Sequence, residues 1–170
     1  MTDLSIKIFV VEDTQYREGQ AMGAWFELPV SRAVIAEKIN LQGQYDGFEI
    51  LDYEAPFLID PFTPIEFLNH VATLFEEYKG HESLTYVSEL MNYDIFKDFD
   101  EAMQRLNDIE IHSEITSFVE FAQYFIEDNG YLSGLPELIR NHIDYEGIAG
   151  VLRNEKHLYR MSDGVIVEVH

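Results

Sequence analysis

A chain of 170 residues with 46% hydrophobic and 14% aromatic side chains can bury a core, so its net charge of −21 does not mark a disordered acidic chain. It has no cysteine, which excludes disulfides and thiolate metal sites and suits a reducing cytoplasm. Its 32 Asp and Glu against 11 Lys and Arg argue against direct contact with nucleic acid or an anionic membrane, since phosphate binding needs clustered cations.

From the start, SIKIFVV (5–11) alternates apolar and polar and predicts a strand. A polar loop runs through Gly19. A second strand is expected over 22–28, stopped by Pro29, and Ser31 is placed to cap a short helix over 32–39. A turn-rich loop, 42–47, leads to a third strand over 48–53. These elements make a small sheet-plus-helix module, 1–60.

Thr63 and Glu66 flank Pro64 in a capping-box pattern, with proline at the first helical position. Ile65, Leu68, Val71, Ala72, Phe75 and Tyr78 then recur at helical spacing, and Gly80 ends the run. A second helix carries Leu84, Val87 and Met91 inward, and a third is expected over 99–108. This is an acidic helical module, 61–105.

IEIH (109–112) predicts a short strand. Ser117 and Glu120 open a helix with Phe118, Phe121, Ala122 and Phe125 inward and Asn129-Gly130 as its stop. One helical stretch is expected from Pro136 to about Leu152, then a hairpin around Asp163-Gly164. That makes a C-terminal α+β module, 106–170. The expected fold is α+β, an elongated chain of three small modules with brief linkers near 60 and 105.

The acids are unevenly spread. Residues 1–60 carry 11 acids and 4 bases, 61–128 carry 15 and 3, and 129–170 carry 6 and 4. From 106 to 139 there is no Lys or Arg. Glu120 and Glu127 lie two helical turns apart, as do Glu82 and Glu89, so each pair is expected on one outward face. Such a face is most often simply solvated, and acidity by itself often serves solubility. Halophilic adaptation would not leave the last 42 residues near balance.

No pattern for chemistry stands out. The six histidines form no HExxH and no pair four apart. The run with Asp94, Asp98, Asp100 and Glu101 fails the calcium-loop order, with Ala102 and Met103 where a ligand and the glycine belong. GxGxxG, P-loop and GxSxG motifs are absent. Among 32 acids some close pair is inevitable, so carboxylate pairs carry no weight. The expectation is no catalytic residue, no cofactor and no metal site. The N-terminus lacks the pattern of a signal peptide and no apolar run reaches membrane length, so a soluble, cytoplasmic protein is expected.

Five blocks in order resemble the ArdA antirestriction family. They are Tyr16-x-x-Gly19-x-x-x-Gly23-x-Trp25-x-x-Leu28-Pro29; the acidic–aromatic run from Tyr45 and Asp46 through Glu49, Asp52 and Glu54 to Phe57; and Ile65-x-x-Leu68-Asn69. The fourth runs from Phe121 to Gly130 with Gly134-Leu135-Pro136. The last is Asn141-His142-Ile143-Asp144-Tyr145-Glu146 on to Leu152, similar to the family's antirestriction motif. Ile143-Asp144-Tyr145-Glu146 is kept, while His142, Ile148, Gly150 and Val151 depart from the pattern. Gly23 is read as permitting close packing and Trp25 as a core anchor.

The resemblance implies a non-enzymatic homodimer that imitates bent B-form DNA and occupies the DNA cleft of a type I restriction-modification enzyme, at its methyltransferase core. It also implies carriage by a plasmid, transposon or phage in a bacterial host, and a subunit interface near Asn141, His142, Ile143, Asp144, Tyr145, Glu146 and Leu152. The phosphate-mimicking carboxylates expected are Asp46, Glu49, Asp52, Glu54, Glu76, Glu77, Glu82, Glu89, Asp94, Asp98, Asp100, Glu101, Asp108, Glu110, Glu114, Glu120, Glu127 and Asp128. A charge of −21 matches about 36 Å of duplex, and a dimer about 70 Å, at one charge per ~1.7 Å. The alternatives are an acidic adaptor for some other basic DNA-binding protein and a carboxylate hydrolase.

Overall fold

β1 (Lys7–Glu12) buries Ile8, Val10 and Val11 and forms the middle of an antiparallel sheet, in the order β2-β1-β3. The computed structural model of the chain describes residues 4–19, 23–41 and 47–170. Tyr45 and Asp46, named above, lie outside them, as do the first position of the strand expected over 22–28 and most of the loop expected over 42–47. β2 (Gly23–Glu27) pairs Phe9 with Trp25 and Ile8 with Phe26. β3 (Phe48–Glu54) lies on the other side of β1, with a register shift between Phe9 and Val10.

Gly23 meets the expectation of close packing. A Cβ there would stand 2.5 Å from Phe9 Cζ and 2.8 Å from Val11 Cγ1, distances no side chain tolerates. Trp25 does not meet its expectation. It is 42% exposed and only leans on Phe9, ring centroids 5.6 Å apart. Strand alternation explains the difference, because Phe26 takes the inward position and its neighbour must face the other way.

The polar loop after β1 contains a short helix, α1 (Asp13–Arg17), closed by an Arg17–Asp13 ion pair at 2.7 Å. It has too few apolar residues to signal itself by periodicity. α2 (Arg32–Lys38) starts where expected: Ser31 Oγ accepts the N–H of Val34 at 3.3 Å.

α3 (Ile65–Glu77) buries Ile65, Leu68, Val71, Ala72 and Phe75, the predicted stripe. Its start differs from the capping-box expectation. Pro64 has ψ 133° and is itself the cap residue, so Thr63 sits one position too early to cap. Its Oγ1 turns back to accept the N–H of Asp60 at 3.1 Å. α4 (Leu84–Met91) buries Leu84, Val87 and Leu90, with Met91 only half-buried. Asn69 on α3 clamps the chain after β2: its amide accepts the Val30 N–H at 2.8 Å and donates to the Val30 carbonyl at 2.7 Å.

α5 (Phe99–Gln104) begins at Asp98, which accepts the Glu101 N–H at 2.9 Å, and ends in a 3-10 turn over Leu106–Asp108. A second antiparallel sheet follows. β4 (Ile109–His112), β5 (Leu158–Arg160) and β6 (Ile166–Val169) run in the order β4-β6-β5, the last two forming the expected hairpin around Gly164 at φ +93°. α6 (Phe118–Asp128) opens on Ser117, whose Oγ accepts the Glu120 N–H at 3.1 Å.

The helix expected from Pro136 to Leu152 is two. α7 (Glu137–Arg140) closes after one turn, and α8 (Tyr145–Glu155) starts anew on Asp144. The Asp144 carboxylate accepts the Gly147 N–H at 2.9 Å, and a cap of this kind needs a non-helical residue just before the helix. α6 and α8 pack together, and Phe121, Ala122, Ala149, Leu152, Leu158 and Ile166 form a core beneath them. The fold is α+β, as expected. The chain divides into two compact units, 1–88 and 89–170. Among the described residues no helix is long and apolar enough to cross a membrane.

Candidate partner-binding surface

The carboxylates singled out from the sequence stand in solvent to differing degrees. Asp52, Glu54, Glu76, Glu77, Glu82, Asp94, Asp100, Glu110, Glu114, Glu120, Glu127 and Asp128 are exposed; Glu49, Glu89, Asp98, Glu101 and Asp108 are half-buried. Asp46 lies outside the described residues. None of those described is buried. The buried acids are others, Glu12 and Glu168, each 4% exposed.

Several of these groups hold the fold. Glu89 accepts both the N–H and the hydroxyl of Ser162, each at 2.7 Å. Glu82 precedes α4, so the Glu82/Glu89 repeat expected on one helix face does not form. Glu101 accepts the Lys97 N–H at 2.8 Å, and Asp108 holds Arg105 Nε at 2.8 Å. The Glu101 N–H, with Lys97 nearby, keeps the Asp98 carboxyl below the usual aspartate range. Glu120 accepts the N–H of Thr116 at 2.8 Å and its hydroxyl at 2.9 Å, which keeps that carboxyl below the usual glutamate range.

The cations are largely absorbed by local partners. Lys7 pairs with Glu54 at 3.1 Å and Lys79 with Glu76 at 3.2 Å. Arg153 lies over the Phe118 ring and Arg32 over that of Phe48. By contrast, α6 and the turns before it present Glu114, Glu120, Glu127 and Asp128 outward, in a stretch from 106 to 139 without any Lys or Arg. Glu120 and Glu127 do share the exposed side of α6, opposite Phe121, Ala122 and Ile126.

In the motif-like block, Asn141, His142, Asp144 and Glu146 are exposed, while Ile143, Tyr145 and Ile148 are half-buried. Asp144 has a structural task as the cap of α8. Leu152 is 6% exposed and belongs to the core, so it does not reach the surface of the single chain. Leu138 and Ile139 on α7 and Val151 on α8 are exposed apolar side chains that the sequence reading passed over. It also missed a group of glutamates and histidines on β4 and β6. Helical spacing does not show this group, because strands bring residues together at a spacing of two and across a ladder.

The fold and this surface define a small α+β protein with a strongly anionic exterior. The model of the antirestriction protein (ArdA) family matches residues 8–167, and the chain belongs to that family. Membership implies an antirestriction role, exerted on restriction enzymes by a family that is not enzymatic. Among curated proteins nothing matches.

Proposed function

We propose that the protein imitates double-stranded B-form DNA, binds the DNA cleft of type I restriction-modification enzymes at their methyltransferase core, and blocks restriction and modification together. The observation that carries this reading is the cation-free stretch 106–139, whose carboxylates Glu114, Glu120, Glu127 and Asp128 face solvent. An enzyme that binds DNA presents Lys and Arg in a groove and attracts any polyanion of suitable shape. Backbone contacts supply much of such affinity, so a mimic needs no base edges. A folded mimic also loses less ordering entropy on docking than a flexible polyanion would.

The reading includes the three-module division 1–60, 61–105 and 106–170, and a cytoplasmic homodimer whose interface lies near 141–152. Exposed Leu138, Ile139 and Val151 support an interface there, since apolar side chains of that size gain by being covered.

Transfer of unmodified phage or plasmid into restricting cells is the test. The wild type should protect the incoming DNA. A variant with Glu77→Gln, Glu82→Gln, Glu114→Gln, Glu127→Gln and Asp128→Asn should fold and fail to protect. Purified protein should be displaced from a type I methyltransferase core by duplex DNA of cognate length, and salt should weaken the complex steeply. Binding indifferent to competing duplex would refute mimicry and favour an adaptor for another basic protein.

A further inference from the structure

The ends of β4 and β6 share a short pattern, Glu110-x-His112 and Glu168-x-His170. In a strand that spacing puts glutamate and histidine on one face. The ladder sets Glu110 directly opposite Glu168, and Glu168 is 4% exposed. Like charges so placed repel, and burial adds to the cost. A cation between them would reverse both penalties.

His112 is aimed at the same point. Its side chain is 9% exposed, and its Nε2 is buried with no hydrogen-bond partner among the described residues. That nitrogen lies 3.6 Å from Glu168 Oε2 and 3.9 Å from Glu110 Oε1, beyond hydrogen-bond reach of either. An edge-on contact with Phe121, centroids 5.0 Å apart, holds the ring in place. His170 closes the group, with Nε2 3.2 Å from Glu110 Oε2 and Nδ1 3.7 Å from Glu168 Oε1. Lys156 Nζ sits 3.3 Å from Glu168 Oε1 and neutralises that carboxylate, and the His112 nitrogen stays unmet.

One donor atom from each of Glu110, His112 and Glu168 falls within 4.8 Å of the others. Tetrahedral zinc, with bonds of about 2.0–2.1 Å to such ligands, needs them ~3.3 Å apart. We propose that Glu110, His112 and Glu168 form a zinc site that ties β4 to β6, with water in the fourth position. Imidazole with carboxylate selects zinc and its transition-metal neighbours over magnesium and calcium, which take oxygen ligands and more of them.

Full-length protein without an affinity tag, stripped by chelator, is titrated with zinc by calorimetry and followed by thermal unfolding. One equivalent should bind, and the unfolding midpoint should rise with zinc concentration but not with magnesium. Cobalt, added in place of zinc, should give the visible absorption of a tetrahedral centre. Glu110→Gln changes an exposed side chain and so keeps the fold; it should weaken zinc binding by more than about tenfold. His112→Asn should remove the binding, and Glu110→Gln decides the matter alone if that variant does not fold. A wild type indifferent to zinc, or a Glu110→Gln protein that binds it equally well, would overturn the proposal.

Discussion

Asp144 and Gly147 should behave as one unit in stability, and four proteins suffice to show it. Asp144→Ala removes the carboxylate that accepts the Gly147 N–H at 2.9 Å, and loss of such a cap costs about 1 kcal/mol. Gly147→Ala has two opposing effects. Alanine in place of glycine favours a helix by up to ~1 kcal/mol. Its Cβ, however, would stand 2.5 Å from Asp144 Oδ2 and 3.0 Å from Cγ, so the carboxylate must swing away and the cap is lost. The two effects are of similar size, and Gly147→Ala alone should be nearly neutral.

In the double variant no carboxylate remains to clash, and the alanine keeps its helix gain. The double variant should then be about as stable as wild type, where additivity predicts a loss of about 1 kcal/mol. Urea unfolding of the four proteins measures this coupling directly. Additivity to within about 0.3–0.5 kcal/mol would refute the argument. Asp144→Asn, which keeps a capping oxygen, should hold stability to within a few tenths of a kcal/mol. If that variant nevertheless fails in the transfer assay, the Asp144 charge itself is used against a partner.

Two further outcomes follow from the packing and the charges. Phe121 is 1% exposed at the centre of the second unit's core, so Phe121→Ala should cost about 3–5 kcal/mol in urea unfolding. Glu120 is held below its ordinary pKa of 4.5 chiefly by the Thr116 N–H. A carboxyl depressed in the folded state stabilises above its unfolded pKa and loses that contribution as pH falls through the folded value. The unfolding midpoints of wild type and Glu120→Ala should therefore differ near pH 7 and converge as pH falls below the ordinary glutamate range; an unchanged gap would show that the charge does nothing.

Where apolar spacing was regular, the sequence was easy to read. The stripe from Ile65 to Phe75, the IEIH strand and the caps at Ser31 and Ser117 appear as expected. The failures have local causes. The pattern around Thr63 fits a cap, but the extended ψ of Pro64 moves the helix start one residue on. The break between α7 and α8 was missed because Asp144 reads equally well as an exposed residue inside a helix. Size alone makes Trp25 a candidate core anchor, but strand alternation gives the inward place to Phe26. The β4/β6 glutamate–histidine group needed the pairing of strands more than 50 residues apart, which no spacing along the chain reveals.

The carboxylates divide by task, and the division decides which substitutions test mimicry. Asp98, Asp144 and Glu120 accept backbone N–H groups at or next to helix starts, where a negative group also meets the favourable end of the helix dipole. Glu89 fixes Ser162, and Asp108 fixes Arg105. Neutralising any of these weakens the fold as well as the surface, and a lost activity would then have two causes. Glu77, Glu82, Glu114, Glu127 and Asp128 are exposed acids that serve none of these caps or pairs. In the free protein their mutual repulsion costs stability, because a high net charge opposes compaction. Removing them should leave the protein as stable or more so. A gain in stability together with a loss of protection is the signature of charge kept for a partner, since a merely solvating or fold-holding acid would not produce both.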